Sequence, residues 1–291
     1  AGYIGIEMIE AATHLKKSSV RIIQLADRIL PESFDPEITE VLENEIRSHK
    51  GVDLHLNEAV QEIISDGEKV TQIKTDKGVY NADLVVLATG VRPNTQFLKD
   101  SSVNMLRNGA IIVDGYGKTN VDGIYAAGDC ATVYHLVKQE NVYIPLATTA
   151  NKLGRVTGEN LGGKHSYFDG TLGSAAIKVL DMEAGRTGLT EKEAKEMGIN
   201  YKTVFVKDKN HTNYYPGQTD IFVKLIYNSD NRVLLGAQIA SKQGAVLRVD
   251  ALAVAIYAKL RVDEIGMMDF CYAPPFARTW DVMNVAGNVA K

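Results

Sequence analysis

The sequence, 291 residues long, predicts an α/β fold that gives way to an antiparallel α+β region. Three observations carry this. A glycine pair, Gly2 and Gly5, opens a helical pattern that runs into a β-branched strand. A second fully apolar run, Leu84-Val85-Val86-Leu87-Ala88-Thr89-Gly90, follows a hairpin signal. From Tyr167 onward strand patterns succeed one another with only short helices between them.

The elements follow in order. Ala1-Gly2-Tyr3-Ile4-Gly5-Ile6-Glu7 reads as the second half of a G-x-G-x-x-G turn, with Gly2 and Gly5 as its second and third glycines. In that turn the second glycine lets the backbone approach a pyrophosphate, and the third lets helix and strand pack closely. Ile4, Met8, Ala11, Ala12 and Leu15 then predict a helix over 3–17, and 20–25 a buried parallel strand. Ile38, Val41, Leu42 and Ile46 stripe a helix over 36–50, stopped by Gly51. Strands are expected at 52–56 and 59–64, at 69–75 and 78–81 around Thr75-Asp76-Lys77-Gly78, and at 84–90. Further on, 108–113 and 123–129 read as short strands edged by glycine, and 145–161 as a helix begun near Pro145 and ended by Gly162-Gly163. Strands at 174–180, 201–207, 220–227 and 232–240 follow, with helices at 190–197 and 244–260. The tail, 270–291, is rich in aromatic residues and proline.

Composition narrows the function classes. Hydrophobic residues at 45% and charged ones at 23% exclude a disordered or collagen-like chain. Lys and Arg number 32 against 36 Asp and Glu, a net charge of −4 that advertises neither nucleic acid nor an anionic membrane. Two cysteines, Cys130 and Cys271, exclude a disulfide framework and any CxxC motif; the six histidines form no HExxH. No apolar run reaches the ~18–20 residues of a membrane span. The start carries Glu7 and Glu10 instead of a basic leader, so a soluble, cytoplasmic protein is expected.

Three signatures in fixed order carry a resemblance: the half glycine turn at 2–7, Ala88-Thr89-Gly90 with Arg92-Pro93-Asn94, and Thr119-Asn120-Val121-Asp122-Gly123-Ile124-Tyr125-Ala126-Ala127-Gly128-Asp129. The whole sequence resembles the FAD-dependent pyridine nucleotide–disulfide oxidoreductases. His211-Thr212-Asn213-Tyr214-Tyr215-Pro216-Gly217 and Tyr272-Ala273-Pro274-Pro275-Phe276 point to the branch of coenzyme A disulfide reductase, NADH oxidase, NADH peroxidase and NAD(P)H-dependent sulfur reductase. The resemblance implies a Rossmann-like NAD(P)H domain over 1–95, truncated at its first strand, a C-terminal part of an FAD domain over 96–165, and a dimerisation domain over 166–291. Relative to the family, a first FAD-binding segment with its redox cysteine is missing.

The same resemblance implies roles. Gly2, Tyr3, Ile4 and Glu7 match the nicotinamide nucleotide-binding helix, although Glu7 reads equally as a solvated first-turn acid. Gln24 stands where an acid selects NADH and a basic residue NADPH; NADH is preferred and NADPH left open. Gly90 and Val91 would close over the nicotinamide. Asp129 would accept hydrogen bonds from the FAD ribityl chain, with Gly128 letting the cofactor close in. Ala147, Thr148 and Thr149 would aim helix N–H groups at the flavin. Plain turn and helix-packing readings stand beside these. Tyr214 and Tyr272 match tyrosines that reach into the other subunit's active site of a homodimer; interface packing is their equal alternative. Cys130 reads as structural. The tail Ala277-Arg278-Thr279-Trp280-Asp281-Val282 departs from that branch's serine-rich pattern, which weakens coenzyme A as a substrate. The expected reaction passes hydride from NAD(P)H through FAD to a disulfide, oxygen, peroxide or polysulfide. The alternatives are a non-catalytic nucleotide-binding dimeric fragment and a two-subunit enzyme with its FAD segment on another chain.

Overall fold

The computed structural model describes residues 1–15 and 19–290. They form two compact units, one of residues 1–89 with 176–291, the other of residues 90–175.

The larger unit opens with α1 (Tyr3–Thr13), β1 (Val20–Ile23), α2 (Pro36–Ser48) and β2 (Val52–His55). β1 and β2 pair in parallel, Val20 opposite Val52, so α2 is a crossover helix. Ile38, Leu42 and Ile46 fall one turn apart on α2 and are fully buried. Pro36 at its first turn, Glu37 beside it and Arg47 in its last turn suit the helix dipole. The predicted α1 reaches residue 17, but the helix ends at Thr13; residues 16 and 17 lie outside the described ones. β3 (Val60–Ser65), β4 (Val70–Thr75) and β5 (Val79–Asn81) form the expected antiparallel sheet. Beside it Glu58, almost fully buried, accepts from Thr75 Oγ1 at 2.6 Å and lies 2.8 Å from His55 Nδ1.

The predicted strand at 84–90 does not form. Leu84 and Leu87 are 76% and 69% exposed, and no strand pairs with this run among the described residues. An apolar sequence becomes a strand only where a neighbouring backbone completes the ladder. Gly5 does pack here as expected: a Cβ on it would lie 3.5 Å from Ala88 Cβ.

In the smaller unit the runs 108–113 and 123–129 make isolated bridges, Ile111 with Met105 and Ala131, and Lys118 with Tyr125, instead of strands. Left-handed glycines at 109, 123 and 128 interrupt each run before a ladder can extend. A hairpin, β6 (Val133–His135) and β7 (Glu140–Val142), precedes α3 (Ala147–Leu161), which ends at Gly162 as predicted. Val103, Ile111, Val113, Ala131 and Leu153 form this unit's core.

The rest of the larger unit is a five-stranded sheet in the order β10-β11-β12-β9-β8. Its strands are β8 (Ala175–Val179), β9 (Met182–Gly188), β10 (Tyr201–Lys209), β11 (Asp220–Asn228) and β12 (Leu234–Ser241), with α4 (Glu191–Glu196) between β9 and β10. α5 (Ala245–Tyr257) packs on β9 and β12, and α7 (Val282–Val289) on β10 and β11. Covered on both sides, β11 buries even Lys224. That ammonium lies 2.8 Å from Glu37, 2.5 Å from Glu191 and 3.6 Å from Asp35. Gln238 donates to Asp35 at 2.6 Å. These groups join the start of α2 to the sheet. The apolar contacts of Ile6, Ile22, Phe34 and Ile38 with Val179, Met182 and Ala240 do the same.

α6 (Val262–Gly266) crosses α7 through two glycines. A Cβ on Gly287 would sit 2.5 Å from Gly266 N and Val262 O. Gly287→Ala is therefore expected to cost about 1–3 kcal/mol, read as a lowered thermal midpoint. An unchanged midpoint would contradict this close crossing.

Candidate functional site

Four places hold the residues singled out in the sequence. The first is the start of α1. Its N-cap, Gly2, has no side-chain cap, so first-turn N–H groups are left to a ligand or water. Nothing lies within 4 Å of where a Cβ on Gly2 would stand. Gln24 lies just past β1, and its Nε2 donates to Arg28 O at 3.3 Å. Glu7 and Ile4 point outward, exposed. Tyr3 instead packs against the core, and burial pushes its phenol up from its ordinary value. An open glycine turn beside the end of a parallel strand suits a dinucleotide, with Tyr3 as packing.

The second place lies in the smaller unit. Gly128, at φ +89°, and the first turn of α3, represented by Thr149, line one cleft with Ala131, Ile144 and Leu153. Ala147 and Thr148 are exposed, and Leu146 provides no side-chain cap to α3. Thr149 is buried and spends its hydroxyl on Ile144 O and Leu146 O, at 3.1 and 2.8 Å. It therefore fixes the helix start, leaving the N–H groups of the first turn to meet a ligand. Asp129 is exposed and makes no hydrogen bond or ion pair among the described residues. An exposed carboxylate next in sequence to Gly128, which shares a cleft with the uncapped helix start, supplies acceptors and donors of the kind a polyhydroxylated chain and an anionic ring require. Tyr143 sits near enough that burial, then the charge of Asp129, raises its phenol's pKa. Sequence reasoning missed Tyr143, which lies in no motif. Cys130 is half-buried and donates to Ala127 O at 3.4 Å, in keeping with a structural part.

The third place, Gly90 and Val91, opens the smaller unit. Gly90 takes φ +106° with open space where a Cβ would stand, and Val91 is exposed.

The fourth is the tyrosine pair. Tyr214, in the loop between β10 and β11, and Tyr272, in the segment after α6, bring their hydroxyls to 3.0 Å. The hydrogen bond to Tyr214 raises the Tyr272 phenol's pKa above its ordinary value. Both rings are exposed. The loop is tied at its base, where Asn210 N donates to Thr219 O and Thr219 N to Asn210 Oδ1. Thr212 Oγ1 donates across to Pro274 O at 3.1 Å. His211 is buried, stands edge-on to Tyr215, and has its Nδ1 3.0 Å from Thr212 O. Cys271 is exposed next to this pair.

Among the described residues one group of metal-ligand type converges, Glu45, His49 and Asp181. Lys242 already supplies its positive charge, 3.6 Å from Glu45 and 3.7 Å from Asp181. No described helix is long and apolar enough to cross a membrane.

Comparison with known families decides the assignment. Residues 1–154 match the pyridine nucleotide-disulphide oxidoreductase family, and residues 174–283 its dimerisation domain. The chain belongs to this family. Among its relatives, the NAD(P)H coenzyme A polysulfide/persulfide reductase of Pyrococcus horikoshii is 39% identical over the whole chain, and an NADH oxidase of Enterococcus faecalis 35% identical over 99% of it. In each case the chain spans 64% of the relative's length. Among solved structures, the NAD-dependent persulfide reductase of A. fulgidus superposes with a TM-score of 0.93 at 36% identity, covering 99% of this chain and 53% of that one. The water-forming NADH oxidase of Lactobacillus brevis, bound to NADH, gives 0.91 at 35%, covering 100% and 64%. The sequence resemblance to this family is thereby borne out, as is the α/β fold with its sheet-rich C-terminal part.

Proposed function

We propose that the protein is a flavin-dependent oxidoreductase of the NADH oxidase and persulfide reductase type. It would take hydride from NADH or NADPH and deliver it to a disulfide, oxygen, peroxide or polysulfide acceptor. The observation that carries this reading is the small cleft that Gly128 and the uncapped start of α3 line together, with the exposed Asp129 next to Gly128 in the sequence. When bound there, FAD supplies the two-electron step between nicotinamide and acceptor.

The chain's own groups do the holding. Asp129 accepts from hydroxyls, and the first-turn N–H groups at Ala147 and Thr148 favour negative charge on the bound ring. The turn at Gly2 receives the dinucleotide's pyrophosphate, with Ile4 and Glu7 on its outer face. Tyr214 and Tyr272 serve a partner copy's acceptor site, where a phenol can donate to a thiolate or peroxide oxygen. In this reading 1–95 is the NAD(P)H domain, 96–165 part of the FAD domain, and 166–291 the interface of a cytoplasmic homodimer.

The test is NADH consumption by the purified enzyme with oxygen, peroxide, coenzyme A disulfide and polysulfide offered separately. Turnover with none of them would overturn the proposal. Cofactor choice gives a second test. Gln24→Asp is expected to move the NADH-to-NADPH ratio of kcat/KM toward NADH by roughly tenfold, or about 1.4 kcal/mol. A carboxylate there accepts from the ribose 2′-hydroxyl and repels a 2′-phosphate. A ratio that stays put would take Gln24 out of the nucleotide site.

A further inference from the structure

Arg248 is an isolated cation on α5, whose other inward residues, Val249, Leu252 and Ile256, are apolar. Its guanidinium is nearly enclosed, and all three of its nitrogens donate. Nε donates to Asp281 at 2.9 Å, and Nη2 lies 2.8 Å from the same carboxylate. Nη1 donates to Gly244 O at 2.8 Å. Nη2 also donates to Asn210 O and to Phe276 O, both at 3.0 Å. Those two carbonyls belong to different segments: Asn210 begins the loop bearing Tyr214, and Phe276 ends the turn that follows Tyr272. Asp281 is buried too, and it caps α7 through Met283 N at 3.0 Å. The anchor is therefore a buried ion pair that joins α5 to the N-cap of α7, two helices that each pack on the sheet.

We propose that Arg248 is the positioning residue of the tyrosine pair, tying the Tyr214 loop and the Tyr272 segment to one rigid point so that the two hydroxyls meet. A planar fork with five donors can serve one carboxylate and three carbonyls at once; a lysine ammonium cannot. Any effect on turnover rests on the reading that the pair works at the acceptor site, but the positioning itself does not.

The test uses the flavin-loaded enzyme with three variants: Arg248→Lys, the double change Arg248→Met with Asp281→Asn, and Tyr272→Phe. The double variant leaves no buried charge uncompensated and keeps a cap for α7, so it decides the matter if Arg248→Lys does not fold. Tyrosinate ultraviolet absorbance is titrated in each. Because Tyr3 and Tyr143 are also shifted upward, the signal is a difference: wild type is expected to show one late-titrating tyrosine more than Tyr272→Phe. In both Arg248 variants that tyrosine returns to the ordinary range, while circular dichroism and flavin content hold. Acceptor kcat/KM falls by roughly 10–100-fold. A folded Arg248 variant that keeps as many late tyrosines as wild type overturns the proposal. If Tyr272→Phe turns over like wild type while the Arg248 variants lose the late tyrosine, positioning stands and only the catalytic reading of the pair falls.

Discussion

Lys224→Ala is expected to destabilise the protein by about 3–5 kcal/mol, the cost of removing one partner of a buried charge network. The ammonium is fully buried among Glu37, Glu191 and Asp35, and Asp35 is itself buried with Gln238 as its neighbour. Removing it leaves the carboxylates facing one another between the start of α2 and β11. Lys192 pairs with Glu32 at 2.9 Å in the open. Lys192→Ala should therefore cost no more than about 1 kcal/mol. Urea unfolding of both variants beside wild type makes the comparison, and equal midpoints would refute the account of this joint. The effect carries a pH signature. Burial lowers the Lys224 pKa, but hydrogen bonds to Glu191 and Glu37 and the charge of Asp35 outweigh it, and the net shift is upward. A folded-state pKa above the unfolded one gives stability that is complete below the ordinary lysine range and is lost as the pH rises through the folded value. The gap between wild type and Lys224→Ala should stay constant around neutrality and narrow in strong alkali.

Asp129→Ala is the second large effect expected, this time on flavin binding. A carboxylate accepting from ligand hydroxyls contributes about 1.5–3 kcal/mol, so the variant should bind FAD roughly 10–100-fold more weakly. Because Asp129 is exposed and makes no bond within the described protein, the same change should leave unfolding of the flavin-free protein within about 0.5 kcal/mol. Flavin release during gel filtration, set against the unfolding midpoint, separates the two. Lost stability with full flavin retention would make Asp129 structural instead.

Most of the fold is legible in the sequence wherever one period dominates. Ile38, Leu42 and Ile46 mark α2 without help, and the Thr75–Gly78 turn marks its hairpin. The misses have physical causes. β9, Met-Glu-Ala-Gly-Arg-Thr-Gly, has too little side chain to read as a strand, yet it is buried, and Gly188 at its end admits β12 at close range. α6, and α7 in the tail, escape the sequence pattern because glycine, a weak helix former, is what their crossing requires. The run at 84–90 has the composition of a strand, but pairing depends on a neighbour that no local pattern reports. Of the candidate site, Gly2, Gly128 and Asp129 stand out in the sequence because the motifs that carry them are local. Arg248 is not, since its partners Asn210, Phe276 and Asp281 are remote in sequence. Its one local signal is a lone arginine within the apolar pattern of α5.

The most direct measurement of the central claim is a visible absorption spectrum of the protein carrying residues 1–291, together with any sequence that adjoins them in its gene, before and after NADH is added without oxygen. A flavin-dependent pyridine nucleotide oxidoreductase predicts yellow protein whose flavin bands bleach on NADH addition. A protein that binds flavin yet keeps its colour under NADH, or one that takes up no flavin when FAD is supplied, would contradict it.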